Sequence, residues 1–204
     1  MSATKSVIFW DFDGVLMNSN PIRDLGFEKV LNDFPREQVA QLMNFHRQNG
    51  GLSRYVKFRY FFETIRNEAL TDEKLKQYTD SFSKIMLELL LDEKLFIQPT
   101  LDFVKRNYQN YSMHIVSGSD QNELRIICKT LNIATYFLSI NGSPTPKKQL
   151  VKDILKANRY DVAKCVLIGD SHNDYEAAQV NNIDFFGFGN PKIEEISTVN
   201  FSLA

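Results

Sequence analysis

The sequence predicts an α/β fold, a doubly wound, Rossmann-like parallel sheet interrupted by an all-helical insertion. Three observations point there. Short runs rich in β-branched and aromatic residues each stop at a polar turn containing glycine. From about residue 100 onward these runs alternate with amphipathic helical patterns, the signature of βαβ units. Residues 18–94 carry helical stripes and no strand signal.

Taken in order, residues 6–10 read as a buried strand that stops at Asp11-Phe12-Asp13-Gly14. The insertion follows. Phe27, Val30, Leu31 and Phe34 mark one helical stripe, and Leu75, Tyr78, Phe82, Ile85, Met86 and Leu89 a longer one. Between them lie a polar stretch, residues 46–54, with a Gly50-Gly51 hinge, and an aromatic run, residues 55–62. The later strands are expected at 113–116, 136–140, 165–168 and 183–188. They end at Ser117-Gly118-Ser119, Asn141-Gly142, Gly169-Asp170-Ser171 and Gly189-Asn190-Pro191 respectively. Leu124, Ile127, Cys128 and Leu131, then Leu150, Ile154 and Leu155, mark helices between these strands. The expected division is a core of residues 1–17 and 95–204 with the helical unit at 18–94. Open α/β sheets place ligands at the carboxyl ends of their strands, where these turns cluster.

Composition sets limits. The chain has 204 residues and 43% hydrophobic content, enough for one medium domain with a sizeable insertion. A net charge of -1 gives no electrostatic footprint for nucleic acid or an anionic membrane. The apolar run at 7–10 is too short for a signal segment or a membrane span. Cys128 and Cys165 stand far apart in apolar surroundings, which fits core positions and a reducing cytoplasm. Phenylalanine and tyrosine are abundant, 16 and 8 against one tryptophan, and crowd the 55–62 run. Those rings are expected mainly to hold the insertion together, with one or two lining a cleft beside Arg54 and Lys57.

Four turns carry the chemistry. Asp11 and Asp13, two residues apart at a strand end, would repel by about 4 kcal/mol at ~4 Å and an effective dielectric near 20. Either a cation lies between them or one keeps its proton. A solvated turn or helix cap is the plain alternative. Ser117-Gly118-Ser119-Asp120, at a strand-to-helix junction, offers backbone N–H groups and a hydroxyl to an oxyanion, although taken alone it fits simple capping better. Asp170 and Asp174, four apart around the next turn, can face the same point as Asp11. Three or four carboxylates without soft ligands favour a hard divalent cation, Mg²⁺ above Zn²⁺. Lys147 and Lys148, behind a Pro-rich turn, are candidates to balance a carboxylate cluster and a bound phosphate.

In this order, each at a strand end, these turns resemble the four-motif signature of the haloacid dehalogenase superfamily over nearly the whole chain. Asp11-Phe12-Asp13-Gly14-Val15 matches motif one, Ser117 motif two, Lys147 or Lys148 motif three, and Gly169-Asp170-Ser171-x-x-Asp174 motif four. The helical insertion resembles the cap of the phosphoglycolate phosphatase and β-phosphoglucomutase branch. Val15 stands where most family phosphatases carry threonine, and the motif-three turn departs from the commoner Lys-Pro-x-Pro.

The resemblance implies a Mg²⁺-dependent phosphatase acting on a small phosphate ester through an aspartyl-phosphate. Asp11 is then the nucleophile and Asp13 the general acid and base. Asp11, Asp170 and the Asp13 carbonyl hold Mg²⁺, with Asp174 orienting that site. Ser117, Gly118 and Lys147, favoured over Lys148, hold the phosphate. Specificity would come from the cap, with His46, Arg47, Asn49, Arg54 and Lys57 as candidates for a sugar or sugar-acid phosphate. A monomer or weak dimer, with no nucleic-acid or membrane partner, completes the expectation. A phosphomutase would use the same residues with a bisphosphate activator. A receiver-type signalling module is shorter and lacks the insertion, and a dehalogenase has no use for Asp13.

Overall fold

A computed structural model describes residues 4–203. The chain forms β1 (Val7–Trp10), α1 (Asn20–Val30), α2 (Arg36–Gln48) and α3 (Arg54–Arg59), then a π-helical turn (Tyr60–Ile65) and α4 (Asp72–Leu89). It continues with α5 (Gln98–Asn107), β2 (Ser112–Asp120), α6 (Gln121–Thr130), β3 (Ser139–Ser143) and α7 (Lys147–Asn158). The last elements are β4 (Cys165–Gly169), α8 (His172–Val180), β5 (Asp184–Gly187) and α9 (Pro191–Glu194). Among the described residues the sheet has five strands, all parallel, in the order β3-β2-β1-β4-β5.

Alternation along β1 shows why the sheet is covered twice. Ile8 and Trp10 point into one core with Leu101, Phe103 and Val104 of α5 and Leu124, Ile127 and Cys128 of α6. Val7 and Phe9 point into the other, with Val151 and Ile154 of α7 and Ala177 and Ala178 of α8. Period-two side chains, apolar on both faces, are what a central parallel strand needs. His114 of β2 lies in this packing, its Nδ1 2.8 Å from Ser139 Oγ and its Nε2 3.1 Å from Tyr160 Oη.

The insertion holds helices and no strand among the described residues. It leaves and rejoins the sheet through two adjacent connections: Asn18 N donates to Leu95 O at 2.7 Å and Ile97 N to Leu16 O at 3.0 Å. Its interior is aromatic. Phe27 packs 4.5 Å from Phe82 and 5.3 Å from Phe58, while Phe34 meets Phe61 edge-on at 5.2 Å. Within the 55–62 run, Phe58, Phe61 and Phe62 are buried in this cluster. No helix of the described residues is long and apolar enough to cross a membrane.

Strand ends differ by a few residues from the expectation, chiefly at β2 and β3. β2 runs on to Asp120, so Ser117 lies within the strand and not at a helix start. The helix cap is Asp120, whose Oδ1 accepts from Asn122 N and Glu123 N. Ser117 Oγ is held inside, accepting from Ser119 N at 3.0 Å. β3 is Ser139–Ser143 where 136–140 was expected, because Ala134–Tyr136 closes a short 3₁₀ turn first.

Candidate active site

In-register pairing aligns the strand ends. Trp10 lies opposite Ile115 on one side and Ile168 on the other, so Asp11 and Asp170 emerge side by side. Asp11 N donates to Ile168 O at 2.9 Å, which fixes where its side chain begins. Gly14 turns the chain with φ +75°, and a side chain there would fall on Asp170 Oδ2.

Asp11, Asp170 and Asp174 each bring one carboxylate oxygen within 4.8 Å of the others. Asp11 and Asp174 are buried. Lys147 Nζ lies 2.8 Å from Asp11 Oδ1 and also pairs with Asp174 Oδ1. The other Asp174 oxygen accepts from Ser171 Oγ at 2.5 Å and Ser171 N at 3.1 Å, a capping box that opens α8. Burial pushes the Asp11 carboxyl well above its usual range, Asp174 adds to this, and Lys147 opposes it only in part. Burial, then Asp174, pushes Asp170 up to about 7. One lysine leaves three crowded carboxylates short of positive charge. Their all-oxygen, hard donor set is the kind a divalent cation such as Mg²⁺ takes.

Asp13 stands apart from this cluster. Its carboxylate accepts from Arg23 Nε at 2.9 Å, from Ser119 Oγ at 2.5 Å and from Ser19 Oγ. Burial works upward on Asp13, but Arg23 and the two hydroxyls prevail and bring it down to about 2.

Above these residues, between the strand ends and the insertion, lies a small cavity of about 40 Å³. Asp11, Asp13, Asp170, Gly118 and Ser119 form its floor; Arg23, His46, Arg54 and Lys57 contribute to its roof, with Phe27 and Phe82. Lys57 Nζ donates to Gly50 O at 3.1 Å and lies 5.9 Å from the Phe27 ring centroid. Burial, reinforced by Arg23 and Arg54 and opposed by Asp13, brings Lys57 down to about 7. His46 is buried beside Asp24, at 2.9 Å, and burial followed by Lys57 lowers it to about 4. The rim closes where Gly51 meets the core. A methyl group on Gly51 would lie 2.7 Å from Ser171 Oγ and Asn173 Cβ, so glycine alone permits the approach.

The candidates divide accordingly. Lys147 enters the carboxylate cluster, whereas Lys148 is exposed and pairs at 3.5 Å with Glu176. Ser117 is buried within β2, and its neighbours Gly118 and Ser119 face the cavity. His46, Arg54 and Lys57 line the cavity, while Arg47 and Asn49 border the neighbouring opening. Arg47 is exposed and bonds Asp24 at 2.8 Å; Asn49 Nδ2 donates to Phe45 O at 2.9 Å. The rings at the cavity are Phe27 and Phe82, not members of the 55–62 run. The π-helical turn directs Phe61 and Phe62 inward, and Tyr55 Oη bonds Asp120 at 2.8 Å.

Sequence reasoning missed Arg23 and Glu123. Arg23 follows Asn20-Pro21 and looks like an ordinary residue of a helix start. Glu123, three residues after the Asp120 cap, looks like a first-turn acid that complements the helix dipole. Both are buried, and they pair with each other.

A haloacid dehalogenase-like hydrolase family model matches residues 7–188. The phosphoglycolate phosphatase of Colwellia psychrerythraea is 23% identical over 90% of this chain and 84% of its own length. The phosphorylated carbohydrates phosphatase of Thermotoga maritima is 24% identical over 88% of this chain and 82% of its own length. A crystal structure of β-phosphoglucomutase from Clostridium difficile superposes with a TM-score of 0.75 at 14% identity, covering 98% of this chain and 91% of that one. The chain belongs to the haloacid dehalogenase-like hydrolases, as a phosphatase of the branch that also holds these proteins.

Proposed function

We propose that the protein is a Mg²⁺-dependent phosphatase that hydrolyses a small sugar or sugar-acid phosphate through an aspartyl-phosphate intermediate. One observation carries this reading. Asp11 is buried against Lys147 at the floor of a small cavity, with Asp13 held separately on the same floor. The names of the two curated relatives point to the same substrate class.

Asp11 would attack phosphorus as its P–O bond to the leaving alkoxide breaks. Lys147 and the donors of Ser117, Gly118 and Ser119 would hold the phosphoryl oxygens in line. When bound, Mg²⁺ would be held by Asp11, Asp170 and the Asp13 carbonyl, with Asp174 behind them, and would neutralise charge between carboxylate and phosphate. Asp13 would protonate the alkoxide, then take a proton from the water that hydrolyses the intermediate. Arg23 and two hydroxyls favour ionised Asp13, the form that the second half-reaction uses. The first half-reaction needs Arg23 drawn away from Asp13.

Residues 18–94 would be a cap on a core of 1–17 and 95–204. The paired connections at Asn18–Leu95 and Leu16–Ile97 support those limits. A cap that shuts over the cavity excludes water and large substrates. Free, buried Cys128 and Cys165 fit a cytoplasmic setting.

A screen of phosphorylated metabolites with Mg²⁺, reading released phosphate, tests the proposal. Turnover of a small ester that stops on chelation is expected. No release from any ester, or full activity after exhaustive chelation, overturns it.

A further inference from the structure

Glu123 is 1% exposed, a costly place for a carboxylate unless something opposes it. Two guanidinium groups of the insertion do so. Arg23 Nη1 pairs with Glu123 Oε1, and Arg54 Nη1 lies 2.6 Å from Glu123 Oε2. Both arginines are buried and both line the cavity, whereas Glu123 does not line it. The carboxylate therefore stands behind the two cations, out of substrate reach.

The remaining contacts complete the balance. Arg23 Nε bonds Asp13, so two guanidinium groups face two carboxylates. Arg54 also donates to Ser83 Oγ at 2.6 Å and lies 4.5 Å from the Phe82 ring centroid. Arg23 Nη2 is buried and makes no hydrogen bond among the described residues. The charge of its guanidinium is nonetheless matched by Asp13 and Glu123.

We propose that Glu123 is a specificity-determining positioning residue, a built-in counter-anion that makes the arginine-rich roof favour uncharged, hydroxyl-bearing leaving groups over anionic ones. This rests on the phosphatase reading for its kinetic test and sharpens it, favouring sugar or polyol phosphates over sugar-acid phosphates and bisphosphates. With Glu123 neutralised, the roof gains one uncompensated positive charge and turns toward anions. A residue that merely braced the fold would weaken all esters alike.

The probes are glycerol 3-phosphate and 3-phosphoglycerate, which differ in a distal hydroxymethyl against a carboxylate. The readout is the ratio of KM for the carboxylate to KM for the alcohol. Glu123→Gln should lower that ratio about tenfold, the scale of one charge-assisted hydrogen bond. Glu123→Asp, which keeps the charge, should hold the wild-type ratio. The double variant Arg54→Gln with Glu123→Gln removes one charge of each sign and should return the ratio to the wild-type value, even if the single variant folds poorly. Calorimetric Kd values for the same two esters in chelator give the same ratio without turnover. An inactive wild type would thus refute the phosphatase reading and leave this test standing. An unchanged ratio in Glu123→Gln, or a lowered ratio that persists in the double variant, overturns the proposal.

Discussion

The floor and the roof of the cavity both bury charge, and they handle it in opposite ways. The floor gathers Asp11, Asp170 and Asp174 around a single lysine, leaving negative charge in excess. The roof sets Arg23 and Arg54 against Asp13 and Glu123, both of them anions from the core. An unbalanced cluster is poised to take up a cation, while a balanced one presents directional donors and little net field. The floor thus suits phosphoryl transfer, and the roof suits selection of what carries the phosphate. It also ties the insertion to the core, since each roof ion pair to Asp13 or Glu123 crosses between them.

The sharpest way to break this contrast is at the proposed nucleophile. Asp11→Asn should lower turnover on the order of 10⁴-fold or more, the scale seen when a covalent catalyst's nucleophile is removed. Single-turnover phosphate release checks it, and normal turnover would refute a reacting floor. Next comes the lysine. Lys147→Met removes the cation bonded to Asp11 and should lower kcat by about 10²- to 10³-fold. Lys148→Met should stay within about twofold, because Lys148 is exposed and pairs weakly with Glu176. Equal losses in the two variants would mean that the floor is not the reacting surface.

That pair of lysines also marks how far the sequence could be read. The strand-ending turns were legible because each packs its chemistry into a few consecutive residues: Asp11 with Asp13, Asp170 with Asp174. Parallel strands in register then bring such strings together at one sheet edge, which is why the floor assembles as expected. Choosing between adjacent lysines required the start of α7, which turns Lys147 inward and leaves Lys148 outside. The roof was hardly legible. Arg23 and Glu123 are one hundred residues apart, and neither belongs to a local pattern that names the other. A positive loop at 46–54 was visible, but helix direction decides its members, turning Arg54 inward and Arg47 out. Aromatic abundance in the insertion was visible too, yet which rings reach the cavity depends on α1 crossing α4 at Phe27 and Phe82.

The contact between floor and roof is the next place to intervene. Gly51→Ala puts a methyl 2.7 Å from Ser171 Oγ and Asn173 Cβ, closer than packed atoms tolerate, so the roof must lift. KM should rise about tenfold, roughly the cost of a small overpacking strain. Gly50→Ala, with nothing within 4 Å of the added group, is the matched control and should leave KM within about twofold. A tenfold rise in both variants would point to backbone flexibility as the property that matters, in place of the close approach.

The smallest effect tests the charge state of the roof itself. Lys57 is brought from 10.5 down to about 7 chiefly by burial, so above that pH the folded protein holds it neutral while the unfolded chain keeps its proton. The unfolded state then binds more protons, and stability rises with pH between about 7 and 10.5, by at most about 1.4 kcal/mol per pH unit for one proton. His46 has the same sign at lower pH, adding stability as pH rises from about 4 to 6.5. Urea denaturation at several pH values, wild type against Lys57→Met, isolates the first slope because other lysines and tyrosines titrate in both proteins. Wild-type stability should rise with pH relative to Lys57→Met if burial holds Lys57 neutral in the folded protein. A difference that stays flat from pH 7 to 10 would mean that Lys57 keeps its proton in the folded protein. The roof would then carry an uncompensated positive charge, and its contrast with the floor would be one of sign alone.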